Sequence, residues 1–227
     1  MAEETGLIEV IGDWIVDNVL AQGERWLDLG LHPMLGFNVS PRQLRRRGFA
    51  SDLARRINGS RIDPWQLSVE ITESATAGAP ERTEQIVREL HDLGVHLAID
   101  DFGADFSSLD RLRSLPVDML KIDRSFLSGV PDASDASAVI TAIVRLAAAL
   151  EMRAVAEGIE TRAQLEFMVS QGCPLGQGFH LARPMPADET TALLIRAEAD
   201  RAPQPNGHGP VDRARPAARR RSAQRAR

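Results

Sequence analysis

Cysteine is nearly absent from the 227 residues: Cys173 stands alone, so no disulfide can form within the chain. A fold stapled by bridges is excluded, and a reducing compartment, the cytoplasm, suits such a chain. No apolar run approaches the ~20 residues that span a bilayer, so no transmembrane segment is expected. The start, MAEETGLIEV, is acidic and lacks the basic n-region of a secretory signal peptide.

Lysine is the most informative shortage. Lysine and arginine together number 27, and Lys121 is the only lysine among them. A chain this biased towards arginine has kept one compact ammonium, a point charge whose pKa moves with its surroundings. The surroundings of Lys121 decide whether that is chance or use.

Charge is unevenly spread. Eight arginines and one aspartate lie between 201 and 227, so the net charge of −5 leaves about −12 on the rest of the chain. An acidic body counts against nucleic acid as a substrate. Residues 200–227 are Pro, Gly, Arg and Ala without periodicity and read as a disordered, solvated tail. The whole chain is 43% hydrophobic, and the remainder, 1–199, is long enough for one domain with a sizeable core.

Within 1–199 the apolar pattern alternates. Leu7, Ile8, Ile11, Ile15 and Val19 recur at helical spacing and predict a helix over 3–22. Further helices are predicted over 49–58, 80–94, 107–114, 135–151, 161–171 and 187–199, with Pro80 opening and Gly94 closing the second of these. Strands are predicted over 35–40, 66–72, 95–100, 116–123, 153–158 and 174–179. Six strands, each followed by a helix or helical turn, imply a parallel sheet with helices outside it. A doubly wound sheet and a closed barrel both satisfy that pattern.

The polar residues at the strand ends favour the barrel. In order they are Asn38, Glu70, Asp100 with Asp101, Lys121 with Asp123, Glu157 and Gln177, all at the carboxyl end of their strands. A barrel converges those ends on one axis, where such folds keep their active sites. A doubly wound sheet uses mainly the ends at its switch point.

Glu70, Asp100, Asp101 and Glu157 then bring four carboxylates together, with Asn38 as a neutral oxygen donor. Uncompensated, such a cluster repels itself and takes up protons. Oxygen donors without Cys or His suit a hard divalent cation, Mg²⁺ or Mn²⁺. Adjacent strand residues point opposite ways, yet at a strand end the second can turn back over the rim, so Asp100 and Asp101 fit a metal clamp with one carboxylate shared by two ions. Two such ions form a phosphoryl-transfer device, with Lys121 as a positive donor beside the attacking water. Other candidates are weaker. His32, His91, His96, His180 and His208 lack ligand spacing, and His91 and His96 are expected to face solvent. Trp14, Trp26 and Trp65 are expected to be packing residues. Ser107 and Ser108 have no histidine partner and fit helix capping better than nucleophilic attack.

The stretches AEETGLI, FNVS, VEITES, IDDFG followed by SSL, LKIDRSF, VAEGIET and QGF followed by ARPMP resemble, in order and spacing, an EAL domain over roughly residues 2–197. The resemblance implies an α/β fold of the TIM-type (β/α)8 class, here incomplete with about six βα units. It implies hydrolysis of the bacterial messenger cyclic di-GMP to linear pGpG with two Mg²⁺ or Mn²⁺ ions. It assigns Asn38, Glu70, Asp100 and Asp101 as metal ligands, Asp100 bridging, and Glu157 to the metals through water or as base. Lys121 would position the water, Glu73 would hold the loop after Asp101, and Gln177, Asp123 and Glu160 would contact substrate. A homodimer through the loop after Asp101 is implied as well.

Two departures stand out. The Glu-Ala-Leu strand that names the family, with its metal-binding Glu, is missing, and Met1 falls inside the helix that follows it. Met1 is therefore expected to be an internal residue of a longer protein, or the chain a remnant or excised piece. A catalytically inactive domain serving as a cyclic di-GMP receptor or protein-interaction module is the alternative. In the loop, Asp105 replaces a family Gly and adds negative charge beside the site.

Overall fold

The computed structural model describes residues 2–77, 80–103 and 109–201. The chain opens with a single helical turn, α1 (Ala2–Thr5), and a long helix, α2 (Leu7–Asp28). Strand β1 (Leu35–Val39) leads through α3 (Pro41–Arg45) to α4 (Phe49–Asn58). Strand β2 (Leu67–Thr72) is followed by α5 (Glu73–Ala77) and α6 (Pro80–Asp92), and β3 (His96–Phe102) by α7 (Leu109–Ser114). Strand β4 (Met119–Ile122) runs into a 3₁₀ turn, Arg124–Leu127, and then α8 (Ser134–Ala149). Strand β5 (Arg153–Ala156) with α9 (Arg162–Ser170), and β6 (Leu175–Gly176) with α10 (Ala187–Arg201), complete the chain.

All strands are parallel and their spatial order is their sequence order, β1 to β6. A doubly wound sheet reverses direction at a switch point. No reversal occurs here, so the sheet is an arc of a (β/α) barrel with six βα units. Among the described residues nothing pairs with the outer edge of β1 or of β6.

Alternation along each strand sorts the side chains. Phe37, Val39, Val69, Ile71, Leu97, Ile99, Leu120, Ile122, Ala154 and Ala156 face the helices and form the core with Leu53, Leu90, Ile140, Val144 and Met168. Full burial of a residue such as Leu120 stabilises by about 1.5–3 kcal/mol. The intervening positions, Asn38, Glu70, Asp100 and Lys121, therefore face the concave side, and the apolar pattern that builds the core also aims the polar set. No helix among the described residues is long and apolar enough to cross a membrane.

Several expectations need correction. The helix expected over 3–22 breaks after Thr5 at Gly6 and then runs on to Asp28. Helix α3 lies outside the expected elements although Ser40, Pro41 and Gln43 form a capping box with Pro at N1. The last strand is only Leu175–Gly176, and β4 begins at Met119 rather than 116. Trp14 and Trp65 are exposed at 64% and 52%; Trp26 alone of the three is buried, its Nε1–H donating to Thr191 Oγ1 at 2.8 Å. His96 does not face open solvent, because its ring lies 3.6 Å from the Asp118 carboxylate. The tail expected over 200–227 starts two residues late, because Asp200 and Arg201 still belong to α10; its remainder, with Asp105, Ser107, Ser108 and the proposed dimer loop apart from its start at Gly103, falls outside the described residues.

Asp118 also accepts a hydrogen bond from the Leu97 backbone N–H at 2.8 Å, fixing the start of β3 against β4. Burial pushes its carboxyl up, but the His96 and Leu97 contacts outweigh burial and hold it below the usual carboxylate range. A depressed folded-state pKa contributes stability above the unfolded value of about 3.9 and loses it as pH falls through the folded value. Asp118→Ala is therefore expected to cost about 1–3 kcal/mol at pH 7. In urea titrations the gap to wild type should close as pH falls below about 4; a gap independent of pH would assign the effect to packing instead.

Candidate metal centre at the carboxyl ends of the strands

Asn38 and Glu70 are register partners on β1 and β2, and Thr72 is opposite Asp100 on β3. Lys121 projects from β4 between β3 and β5. Glu157 directly follows β5, its N–H donating to Ile122 O at 3.1 Å, and Gln177 directly follows β6, its N–H donating to Ala156 O at 2.8 Å. Backbone pairing thus extends one residue past each of these strands and delivers both side chains to the rim.

Lys121 is 5% exposed. Its Nζ lies 2.6 Å from Glu70 Oε2, 2.8 Å from Asp100 Oδ1 and 2.6 Å from Glu157 Oε1. An ammonium has three donors, and three carboxylates from three strands take them. Burial would lower its pKa, but the bonds to Asp100, Glu157 and Glu70 outweigh burial and raise it well above the usual lysine range. A raised folded-state pKa means the contribution is full below the unfolded value of about 10.4 and is lost only at still higher pH. These three contacts favour the ammonium form of Lys121, a hydrogen-bond donor, at neutral pH.

Asp101 adds a fourth carboxylate. Its φ is +54°, the left-handed region that asparagine and aspartate tolerate better than most residues. The β3–β4 register shifts between Ile99 and Phe102 at this point. This local turn brings Asp101 back over the rim instead of sending it to the helix side. Carboxylate oxygens of Asp100, Asp101 and Glu157 lie within 4.8 Å of one another. Desolvation, then the Asp100 and Asp123 charges, push the Asp101 carboxyl up. Burial pushes the Glu157 carboxyl up too, against the pull of Lys121. Four carboxylates share a single ammonium, an excess of anionic oxygen that fits a hard divalent cation.

The remaining residues are placed as follows. Glu73, 3% exposed, accepts from the Gly103 N–H at 2.8 Å, just past Asp101. Gln177 Nε2 donates to Glu157 Oε1 at 2.6 Å. Asp123 accepts from the Ser125 N–H at 2.9 Å, a cap on the 3₁₀ turn, and the Ser125 hydroxyl first, then this N–H, hold its carboxyl below the usual range against burial. Asn38 and Glu160 are exposed, and neither side chain has a hydrogen-bonded partner among the described residues. Thr72, beside Asp100 and bonded to Ser74 Oγ at 3.1 Å, lay outside the expected set. Its strand position, two past Glu70, was the available signal.

Comparison with known proteins matches residues 1–184 to the EAL domain. The bifunctional diguanylate cyclase/cyclic di-GMP phosphodiesterase MucR of Pseudomonas aeruginosa is 39% identical over 86% of this chain, which spans 28% of that protein. The cyclic di-GMP phosphodiesterase PdeR of Escherichia coli is 32% identical over 82% of the chain, again 28% of its own length. Among solved structures, the MucR phosphodiesterase in complex with c-di-GMP superposes with a TM-score of 0.79 at 40% identity, covering 83% of this chain and 77% of that one. The EAL domain of Mycobacterium smegmatis DcpA gives 0.78 at 36% identity, covering 82% and 84%.

The ion-pair geometry makes a direct prediction. Lys121→Met strands three carboxylates around an apolar side chain and is expected to cost about 3 kcal/mol in urea denaturation at pH 7. Without the ammonium the folded carboxylates hold protons more tightly than the unfolded chain does, so the variant should lose stability as pH rises from 5 to 8. Wild-type-like stability at pH 8 would show that the ammonium does not hold the cluster together.

Proposed function

Because the chain belongs to the EAL domain family, we propose that its concave rim binds cyclic di-GMP and hydrolyses it to linear pGpG with two Mg²⁺ or Mn²⁺ ions. The observation that carries this reading is the convergence of Asp100, Asp101 and Glu157 oxygens within 4.8 Å beside a buried lysine. Asp100 and Asp101 would hold the cations with Glu70 and Asn38, Asp100 serving both. Bound there, two divalent cations would activate a water and neutralise charge on the phosphodiester.

The chain's own residues do the rest. Lys121 has all three donors committed to carboxylates. Were Glu70 or Asp100 to ligate a cation, an Nζ–H of Lys121 would be free to orient the attacking water. Glu157, kept in place by Gln177, is the proton acceptor or outer-sphere partner of that water. Glu73 fixes the backbone after Asp101 through Gly103. The exposed Glu160 carboxylate is suited to accept from the donor edge of a guanine base, and Asp123 borders the same rim. A messenger made and read inside the cell puts the working compartment in the cytoplasm. The homodimer through the loop after Asp101 is part of the same proposal.

Incubation with cyclic di-GMP and Mn²⁺, followed by chromatography for pGpG, tests the assignment. Binding without cleavage would assign the receptor role instead, and neither binding nor cleavage would overturn the reading. Asp100→Asn should do more harm than Asp101→Asn. Ligand charge count sets affinity, so losing a charge that serves one site should weaken Mn²⁺ binding by about tenfold, and losing a shared one by about a hundredfold. Raised Mn²⁺ should restore the Asp101 variant by mass action more fully than the Asp100 variant. Equal loss and equal rescue would remove Asp100 as the bridge.

A further inference from the structure

The two halves of the carboxylate cluster come from different strands. Asp100 and Asp101 lie near the end of β3, which runs through Phe102 into Gly103; Glu157 follows β5 and runs into Gly158. Strand β4 lies between them, and the 3₁₀ turn Arg124–Leu127 follows it directly after Ile122 and Asp123.

Both loops press against that turn. A Cβ on Gly103 would stand 2.6 Å from Phe126 Cζ and 2.7 Å from Cε2. A Cβ on Gly158 would stand 2.4 Å from Arg124 Cβ. The two glycines have φ of +95° and +68°. Each loop thus turns at a position where only glycine fits, against a side chain of the same four-residue turn.

The turn itself is pinned. Asp123 caps it through the Ser125 N–H, and the Phe126 N–H donates to Asp123 O at 3.1 Å. Leu127 is 1% exposed in the core, and its carbonyl accepts from Gln164 Nε2 of α9 at 2.9 Å. The loops are held on their far sides as well, Gly103 by Glu73 at 2.8 Å and Ile159 by its N–H to Gln177 O at 3.0 Å.

We infer that Arg124–Leu127 is a wedge that sets the separation of the Asp100–Asp101 and Glu157 carboxylates, with Phe126 and Arg124 as positioning residues and Asp123 as the cap that keeps the wedge in shape. This rests on the metal-site reading above and adds the residues that gauge the carboxylate spacing without being metal ligands. Truncating Phe126 removes the stop against Gly103, so the loop after Asp101 can relax inward and the oxygens lose their spacing.

The test uses the whole chain with Mn²⁺, read by electron paramagnetic resonance of the free ion, and amide hydrogen exchange measured without metal. Phe126→Ala should weaken Mn²⁺ binding by about tenfold or more, the range for groups that orient a ligand. Phe126→Leu, which keeps most of the bulk, should recover much of that loss. Ile140→Ala, buried in α8, should lower stability while leaving Mn²⁺ affinity unchanged. Exchange at 101–103 should rise in Phe126→Ala but not in Ile140→Ala. Unchanged Mn²⁺ affinity in Phe126→Ala, or an equal loss in Ile140→Ala, would overturn the wedge. Failure of the wild type to bind Mn²⁺ would overturn the metal reading alone; the exchange rates at 101–103 would then still decide the wedge, and no rise in Phe126→Ala would overturn it.

Discussion

The Lys121 ammonium, shared by Glu70, Asp100 and Glu157, is what lets four carboxylates occupy one end of the sheet. Each of those acids comes from a different strand. Their approach is a like-charge problem solved by one compact cation with three donors. An arginine fork is planar and suited to two parallel bonds on one carboxylate; it could not serve three acids arriving from three directions. In a chain otherwise committed to arginine, this geometry accounts for the retained lysine.

The scaffold meets that demand by simple means. Parallel strands in sequential order put every carboxyl end on one rim, and period-two alternation gives the helix side to Val, Ile and Leu and the concave side to the polar set. The one place where alternation would fail is Asp101. There the backbone departs from strand geometry, φ +54° with a register shift. A left-handed non-glycine residue costs roughly 1–2 kcal/mol, a local strain of the kind that functional sites retain. Stability and the clamp are in tension at this residue.

Much of this was legible in the sequence, for identifiable reasons. The βα alternation and the six polar strand ends follow from periodicity, and the helix over Phe49–Asn58 matches its expected bounds because a glycine stands at each end. Other features depend on distances between strands. That Lys121 bonds three acids at once, or that Phe126 meets Gly103, cannot be read from spacing along the chain. The 3₁₀ turn and α5 are too short to show a period. Helix α3 was missed although its Ser-x-x-Gln cap was readable. The overlong sixth strand shows the reverse failure: Gln177 and its neighbours look like a strand but, among the described residues, have a partner on one side only.

A chain with a single lysine has a chemical simplicity that most proteins lack. Amine-directed reagents find one side-chain target, and that target is protonated, 5% exposed and bonded on all three donors. Acylation at Lys121 has to wait for the carboxylate cage to open. The rate of that one modification is therefore a clock for local opening at the rim, set by the same contacts that gather the acids, and it needs no engineered label.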